Sequence, residues 1–146
     1  MSYVLRLDDQ LCFALHAASR AMTGAYQPIL EKLGVTYPQY LVLMVLWEED
    51  GARVSRIGER LYLDSATLTP LLKRLEARGF VERRRNQVDE RVVEAFLTPE
   101  GRVLEQRALE LFPALVCKTR LTFEEFVRLR ESLNKLTRTL HDVAEG

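Results

Sequence analysis

The chain has 146 residues, 47% of them hydrophobic, with 21 basic and 21 acidic side chains, which suits a single domain over residues 1–146 with no overall charge excess. No apolar run approaches the roughly 18 residues of a membrane span, and the N-terminus lacks a signal peptide's apolar segment, so no membrane contact is expected. Cys12 and Cys117 are far apart and the two histidines are isolated, which favours a reducing cytoplasm and argues against a metal site or another cofactor.

The N-terminal third of the chain is predicted to be helical. One helix runs from about Asp8 to Met22 and carries four residues along one face, namely Leu11, Leu15, Ala18 and Met22. Thr36 and Gln39 then have the spacing of a capping box, with Pro38 in the first turn. The apolar run Tyr40–Trp47 that follows predicts a buried helix.

Two helices separated by a few residues come next. Val54–Leu61 predicts a short helix with Ser55 as a possible N-cap, and Ser65–Arg78 predicts a longer one with Asp64 or Ser65 as its cap. Four leucines recur at helical spacing on the second helix and form its core face: Leu68, Leu71, Leu72 and Leu75. Gly79 suits the left-handed residue that ends such a helix. Pro70 requires either a later helix start or a bend.

A basic β-hairpin is predicted after these helices. The strand-like runs Phe80–Arg85 and Arg91–Leu97 surround a polar tip at 86–90. From Lys73 to Arg91 there are seven basic and four acidic residues, on a chain that is neutral overall. Helix, short turn, helix and hairpin is the order of a winged helix-turn-helix, which binds double-stranded DNA. The alternative is a solvated hairpin with ordinary surface arginines.

The C-terminal part is predicted to be helical again. Thr98 and Pro99 open one helix, and Thr122 and Glu125 form a second capping box. Apolar residues then recur at alternating spacings of three and four, forming a heptad seam: Phe126, Leu129, Leu133, Leu136, Leu140 and Val143. Such a seam is either an internal core face or a surface that pairs two subunits. Its terminal location favours a homodimer, whose two-fold symmetry would suit a palindromic operator.

The fold class predicted from these elements is mainly α with a small β-hairpin wing. Within it, residues 35–97 form the winged helix-turn-helix lobe. Residues 1–34 and 98–146 form a helical dimerisation part.

Four short motifs carry a resemblance to a known family. They are DQLCFAL at 9–15, TYPQY at 36–40, LYLDS at 61–65 leading into LTP at 68–70, and DER at 89–91. Nearly the whole chain resembles the MarR-type winged-helix regulators, and within them the organic hydroperoxide-sensing repressors of the OhrR type. The resemblance implies a homodimeric transcriptional repressor with a pseudo-palindromic operator, and not an enzyme.

The resemblance also implies roles for the two cysteines. Cys12 matches the peroxidatic sensor, and its sulfur would accept hydrogen bonds from tyrosines of the partner subunit that match Tyr26 and Tyr37. Cys117 matches the resolving cysteine of the two-cysteine members, which form an intersubunit disulfide on oxidation. The alternatives are that Cys12 is a small hydrophobic residue and Cys117 a buried structural thiol. His16 departs from the family, which often has a tyrosine there.

For the DNA surface, a polar face on the second helix suits a major groove. The resemblance assigns five residues to it: Ser65, Thr67, Thr69, Lys73 and Arg74. Asp89 and Arg91 match an Asp-x-Arg wing motif in which the aspartate orients the arginine toward a minor groove. The alternative for Asp89 is a simple turn residue.

The prediction is therefore a cytoplasmic repressor that binds its operator when reduced and releases it when an organic hydroperoxide oxidises Cys12. One alternative is a MarR-type repressor that a non-covalent small aromatic ligand releases, with Cys12 incidental. A more distant alternative is a thiol peroxidase. The lack of a CxxC motif and of a cofactor loop argues against that enzyme.

Overall fold

A computed structural model describes residues 5–145 of the chain. The helices are α1 (Leu11–Leu33), α2 (Tyr37–Glu48), α3 (Val54–Leu61), α4 (Ser65–Ala77), α5 (Pro99–Lys118) and α6 (Phe123–Glu145), and the strands are β1 (Val81–Arg85) and β2 (Val93–Leu97). One turn of 3-10 helix precedes α1. The predicted class, mainly helical with one hairpin, is confirmed. The described residues group into a larger compact unit that ends at Leu111 and a smaller one that begins at Phe112.

The core of the larger unit is built around α2. This helix is apolar on nearly every side, as expected of a buried helix, and Val42, Leu43 and Leu46 are fully buried. Helices α1, α3, α4 and α5 and the hairpin add side chains to the same cluster, among them Leu30, Ile57, Leu72, Ala95 and Leu104. Thr36 and Gln39 form the predicted capping box, in which each side-chain oxygen accepts from the other residue's backbone N–H.

The first helix is longer than predicted. It begins at Leu11 and continues past Met22 and Pro28 to Leu33, where Gly34 ends it in a left-handed conformation with φ of 75°. Leu30 and Leu33, in the added part, are buried in the core of the larger unit. Burial of these side chains therefore stabilises helical turns that the local sequence pattern did not indicate.

Within residues 5–145, no single helix is long and apolar enough to cross a membrane. Only α1 and α2 taken together, across a bend of 70°, meet that test of length and composition.

The third helix has the predicted bounds, but Ser55 is not its N-cap. The capping residue is Arg53, which has extended backbone and contributes no side-chain cap, and Ser55 lies in the first turn of the helix. The reason is tertiary, because residues 51–53 lie along β2 like a short third strand. The N–H of Gly51 donates to the Ala95 carbonyl, and the N–H of Ala95 donates to the Ala52 carbonyl.

The fourth helix begins at Ser65, so the late start that would have accommodated Pro70 is wrong. Asp64 caps it, with Oδ1 accepting from the backbone N–H of Thr67 at 2.8 Å. Pro70 lies inside a continuous helix. The carbonyl that loses its partner there belongs to Ala66, an exposed residue that water can reach.

The end of α4 follows the predicted pattern. Gly79 is left-handed with φ of 80°. Its N–H donates to the Glu76 carbonyl and the N–H of Phe80 donates to the Leu75 carbonyl, which together form a complete Schellman motif. Only three residues therefore separate the end of α4 from the start of β1.

The hairpin pairs Val81 with Leu97 and Arg85 with Val93 in an antiparallel register. Strand β2 starts two residues later than predicted, because Arg91 and Val92 belong to the loop. The N–H of Val92 donates to the Asp89 carbonyl, and the N–H of Asn86 donates to the Val92 carbonyl.

The smaller unit contains the end of α5 and the whole of α6. Thr122 and Glu125 form the second predicted capping box. The seam of α6 is largely uncovered, since Leu129, Leu140 and Val143 are 51%, 59% and 71% exposed. In residues 5–145, these apolar side chains of α6 therefore remain exposed to solvent.

Candidate DNA interface and cysteine sites

The crossing of α3 and α4 is set by a tight left-handed turn. Tyr62 ends α3 with φ of 57°, and the N–H of Leu63 donates to the Gly58 carbonyl at 2.9 Å. A Cβ added at Gly58 would lie only 2.8 Å from the Leu63 carbonyl oxygen. Gly58 therefore permits the close approach that a helix-turn-helix requires.

The exposed face of α4 carries the predicted polar residues. Ser65, Thr67, Lys73 and Arg74 are exposed, whereas Thr69 is half-buried. The backbone N–H of Thr67 is occupied by the Asp64 cap. Across residues 5–145, no carboxylate lies within 4.0 Å of the Lys73 or Arg74 head groups. These two cations are therefore available to an external anion.

The loop of the wing is ordered by two side chains. Oδ1 of Asn86 accepts from the backbone N–H groups of Val88 and Asp89, at 2.8 and 3.0 Å. Oδ1 of Asp89 accepts from both the backbone N–H and Nε of Arg91 at 3.1 Å, and its Oδ2 accepts from Nη2 at 3.3 Å. The side chain of Arg91 is 90% exposed. Asp89 thus holds a guanidinium out from the loop in a defined orientation.

The carboxyl of Asp89 is ionised in this arrangement. Hydrogen bonds from the side chain and backbone of Arg91 lower the pKa of Asp89 below its usual value. The charge that orients Arg91 therefore persists at neutral pH.

The remaining arginines of the hairpin are occupied within the chain. Arg83 bonds to Glu76, Arg84 pairs with Glu82 at 3.1 Å and lies over the Phe96 ring, and Arg85 donates to the Glu90 carbonyl. The sequence pattern treated all these cations alike. The structure distinguishes arginines 83–85 from three outward-facing cations. Lys73 and Arg74 have no carboxylate partner among residues 5–145, and Arg91 is paired with Asp89 but is 90% exposed.

A contact that sequence reasoning missed joins α4 to the wing. Oε2 of Glu76 accepts from the backbone N–H of Arg83 at 3.0 Å and from its Nε at 3.1 Å. A pocket of about 240 Å³ opens beside this contact, lined by Glu76, Val93 and the arginines 83–85. No short-range motif marks such a pairing, because it depends on how the strand returns past the helix.

Cys12 lies in the first turn of α1, close to the predicted position at the start of the helix. Its side chain is exposed, and so is that of His16 one turn later. The residue at the N-cap, Gln10, provides no side-chain cap, since its Nε2 donates to the Arg6 carbonyl instead. The N–H groups of this first turn are thus left uncapped near the sulfur.

Cys117 lies in the last turn of α5, in the smaller unit, and its thiol is free and exposed. Neither cysteine is buried within the chain, which contradicts the alternative of a buried structural thiol at Cys117. Within residues 5–145, no group of three or more His, Cys, Asp or Glu side chains is arranged to hold a metal.

Tyr26 and Tyr37 are brought together in the larger unit. Their ring centroids are 5.4 Å apart, and Tyr40 and Trp47 continue the cluster at 6.3 Å from Tyr26 and 5.9 Å from Tyr40 respectively. Burial raises the pKa of Tyr26 to about 12, with smaller contributions from the neighbouring Tyr37 and Tyr40. The phenol of Tyr26 is therefore a neutral hydrogen-bond donor at physiological pH.

The hydroxyl groups of these tyrosines have unused hydrogen-bonding capacity. Those of Tyr26, Tyr37 and Tyr40 make no hydrogen bond with residues 5–145. No buried side-chain nitrogen or oxygen in the described part of the chain lacks a partner, so these hydroxyls reach the surface. No hydrogen bond joins them to Cys12 within the described chain.

Comparison with known proteins places the chain in a family of regulators. The model of the MarR family matches residues 35–93. The organic hydroperoxide resistance transcriptional regulator of Bacillus subtilis is 44% identical over 137 residues, which cover 94% of this chain and 93% of the relative. These are transcriptional regulators, the class predicted from the sequence, and not enzymes.

Two solved structures of the protein AbfR, from Staphylococcus epidermidis, are also similar. Reduced AbfR bound to DNA is 39% identical, with 95% of each chain covered and a TM-score of 0.78. The disulfide-formed AbfR is 38% identical over 97% of this chain and 94% of that one, with a TM-score of 0.63.

Proposed function

Because the chain belongs to the MarR family of transcriptional regulators, we propose that it is a homodimeric repressor whose operator binding is controlled by oxidation of Cys12 with an organic hydroperoxide. The observation that carries the proposal is an exposed cysteine in the first turn of α1. The similarity to a regulator named for organic hydroperoxide resistance supplies the oxidant class. A protein with this role would work in the cytoplasm, where the DNA is.

DNA contact would use the outward-facing cations. We expect α4 to enter a major groove with Ser65, Thr67 and Thr69 near base edges and phosphates. Lys73 and Arg74 would bind phosphates on the same face. Arg91, oriented by Asp89, would reach a minor groove, whose potential is most negative where A·T-rich sequence narrows it.

Dimerisation would cover the exposed apolar stripes. The α6 seam and the first turns of α1, with Leu11 and Phe13, present large apolar side chains to solvent in a single chain. A two-fold pairing would bury them and place two copies of α4 on successive turns of DNA. A pseudo-palindromic operator has the matching symmetry.

The sensing chemistry would start at the Cys12 sulfur. A thiolate attacks the outer peroxide oxygen, the O–O bond breaks, and the alcohol leaves after protonation of its alkoxide. Cys12 becomes a sulfenic acid. The positive end of the α1 dipole would favour the anionic sulfur before attack. Tyr26 and Tyr37 of the partner subunit, with free hydroxyls, would donate hydrogen bonds to it.

Cys117 of the partner subunit would then complete the oxidation. Its thiolate attacks the Cys12 sulfur, a disulfide forms, and hydroxide leaves as water after protonation. The exposure of both thiols supports this two-cysteine mechanism.

The proposal is tested with a DNA duplex that the reduced wild-type protein selects from a random library. We expect cumene hydroperoxide to release this duplex from the wild type in a gel shift. Cys12→Ser should bind the duplex as tightly as the reduced wild type and not respond to peroxide. Release of the Cys12→Ser variant by peroxide would show that the sensor lies elsewhere.

The resolving step has its own readout. Oxidised wild type should run as a covalent dimer on a non-reducing denaturing gel and return to monomer with dithiothreitol. Cys117→Ser should remain monomeric on that gel and accumulate sulfenic or over-oxidised Cys12. A disulfide within one chain would contradict the role proposed for Cys117 and leave the repressor assignment unaffected.

A further inference from the structure

The contact between Glu76 and Arg83 has a geometry that links the DNA-reading helix to the middle of the wing. Glu76 lies in the last turn of α4, and Arg83 is the central residue of β1. A single carboxylate oxygen accepts two hydrogen bonds from Arg83, one from the backbone and one from the side chain. The helix therefore holds the strand itself and not only a mobile side chain.

The hairpin register leaves the backbone N–H of Arg83 without a partner in the sheet. Arg83 is paired with Ala95, whose N–H and carbonyl are bonded to Ala52 and Gly51 on its other side. Arg83 and Ala95 thus form a non-hydrogen-bonded pair, and the Arg83 N–H points out from the free edge of β1. Glu76 accepts from that edge donor, which no strand among residues 5–145 covers.

The start of β1 is held separately. The N–H of Thr98 donates to the Phe80 carbonyl, and Oγ1 of Thr98 donates to the Gly79 carbonyl at 2.6 Å. Two residues further along, Glu76 ties down the strand, and the loop with Arg91 follows beyond it. Glu76 therefore joins the hairpin to α4 at a second point, closer to the wing loop than the connecting turn.

The negative charge of Glu76 makes its effect on DNA binding a sensitive test of what the contact does. Hydrogen bonds from the backbone and side chain of Arg83 keep the pKa of Glu76 below its usual value, so the group is an anion at neutral pH. It lies on the same helix as Lys73 and Arg74, which face outward. By electrostatics alone, removing a carboxylate from this region should strengthen binding to a polyanion.

We propose that Glu76 is a positioning residue that sets the wing against α4, so that Arg91 and the helix engage one operator together. The inference rests on the proposed DNA-binding function. It predicts the opposite sign from simple electrostatics, because loss of this carboxylate should weaken binding to the selected duplex.

The test compares Glu76→Ala and Glu76→Gln with Glu82→Ala. Glu82 is a matched control, since it is a nearby carboxylate that is also paired to an arginine, Arg84, but both residues lie in the same strand. On the selected duplex, Glu76→Ala should bind roughly tenfold more weakly than wild type, the order of a lost charge-assisted hydrogen bond. Glu76→Gln, which retains an acceptor for the Arg83 N–H, should recover part of that loss. Glu82→Ala should bind at least as tightly as wild type.

Two further measurements distinguish a loss of wing positioning from a general loss of folding or of DNA affinity. On a scrambled duplex, Glu76→Ala should bind no more weakly than wild type, so that the ratio of specific to non-specific affinity falls. Arg91→Ala should cost at most half as much binding free energy in the Glu76→Ala background as in wild type, because the guanidinium is already misplaced. Far-UV circular dichroism and thermal melting check that each variant is folded. If Glu76→Ala does not fold, the same binding comparisons are made with Glu76→Gln.

The outcomes are distinguishable. If wild type selects no duplex, the proposed function fails and this inference fails with it. If wild type binds but Glu76→Ala and Glu76→Gln bind as tightly as Glu82→Ala, or if Arg91→Ala costs the same in both backgrounds, only the positioning role is wrong.

Discussion

The leucine stripe of α4 and the heptad seam of α6 look alike in the sequence but differ in their environment. Both repeat apolar residues at spacings of three and four. Leu68, Leu72 and Leu75 are buried in the core of the larger unit, whereas Leu129 and Leu140 are largely exposed. Helical periodicity therefore predicts an apolar helix face that packs against another surface. The fold shows whether that surface belongs to the same chain. An uncovered seam is what a subunit interface requires.

The largest effect is expected from the buried stripe. Leu72→Ala should lower the free energy of unfolding by about 2–5 kcal/mol, because it removes a fully buried side chain and leaves a cavity. Urea denaturation measures this change, which should be the same at low and high protein concentration. A loss below about 1 kcal/mol would indicate that the α4 stripe is not packed as described.

A smaller effect of a different kind is expected from the exposed seam. Leu140→Ala should weaken the dimer roughly 30-fold, about 2 kcal/mol shared between two copies of a side chain that becomes buried only on association. Sedimentation equilibrium measures the dissociation constant. Unlike the core variant, this one should lose apparent stability mainly at low protein concentration. An unchanged association constant would mean that the seam is not the interface.

A wing substitution should change the free energy of DNA binding by less than the two leucine substitutions change the free energies of unfolding and of dimerisation. Arg91→Ala should weaken binding to the selected duplex roughly tenfold and reduce the slope of log K against log salt by about 0.9, the value for one phosphate contact. Asp89→Ala should act by misplacing Arg91, so the double variant should lose little more than either single one. Additive losses, measured by fluorescence anisotropy over a salt series, would show that the two residues act independently.

The smallest effect concerns Tyr26, which packs against the core but has an accessible hydroxyl. Its pKa in the folded chain is raised to about 12 from an ordinary value of 10.0. The stability that this group contributes is therefore complete below pH 10 and is lost as pH rises from 10 toward 12, because the unfolded chain ionises first. Urea denaturation at pH 9 and pH 11 should show a smaller loss for Tyr26→Phe than for wild type. An equal loss in both proteins would contradict this assignment.

Much of the fold was predictable because its signals are local. The two capping boxes, the Schellman ending at Gly79 and the location of Cys12 near a helix start all depend on residues within about one turn of each other. The pairing of Asp89 with Arg91 is equally local, at a separation of two residues. Short separations make these contacts nearly independent of the rest of the chain.

The DNA face was predicted less completely. The sequence identified the basic residues of the hairpin but did not distinguish Arg91, which projects from the loop, from arginines 83–85, which are bonded along the hairpin. Glu76 lies seven residues from Arg83, and the strand must turn back past the helix before the two can meet. The contact that occupies Arg83 therefore follows from that return path and not from composition.

By itself, the sequence determined the order and type of the elements, the winged helix-turn-helix and the family. Periodicity, caps and turn residues act over a few positions, so they can be recognised in the sequence without knowledge of the fold. Only the tertiary structure decided that α1 continues to Leu33, that Arg53 and not Ser55 precedes α3, and that Glu76 holds β1. Each of these depends on burial or on hydrogen bonds between segments whose meeting in space no local pattern specifies.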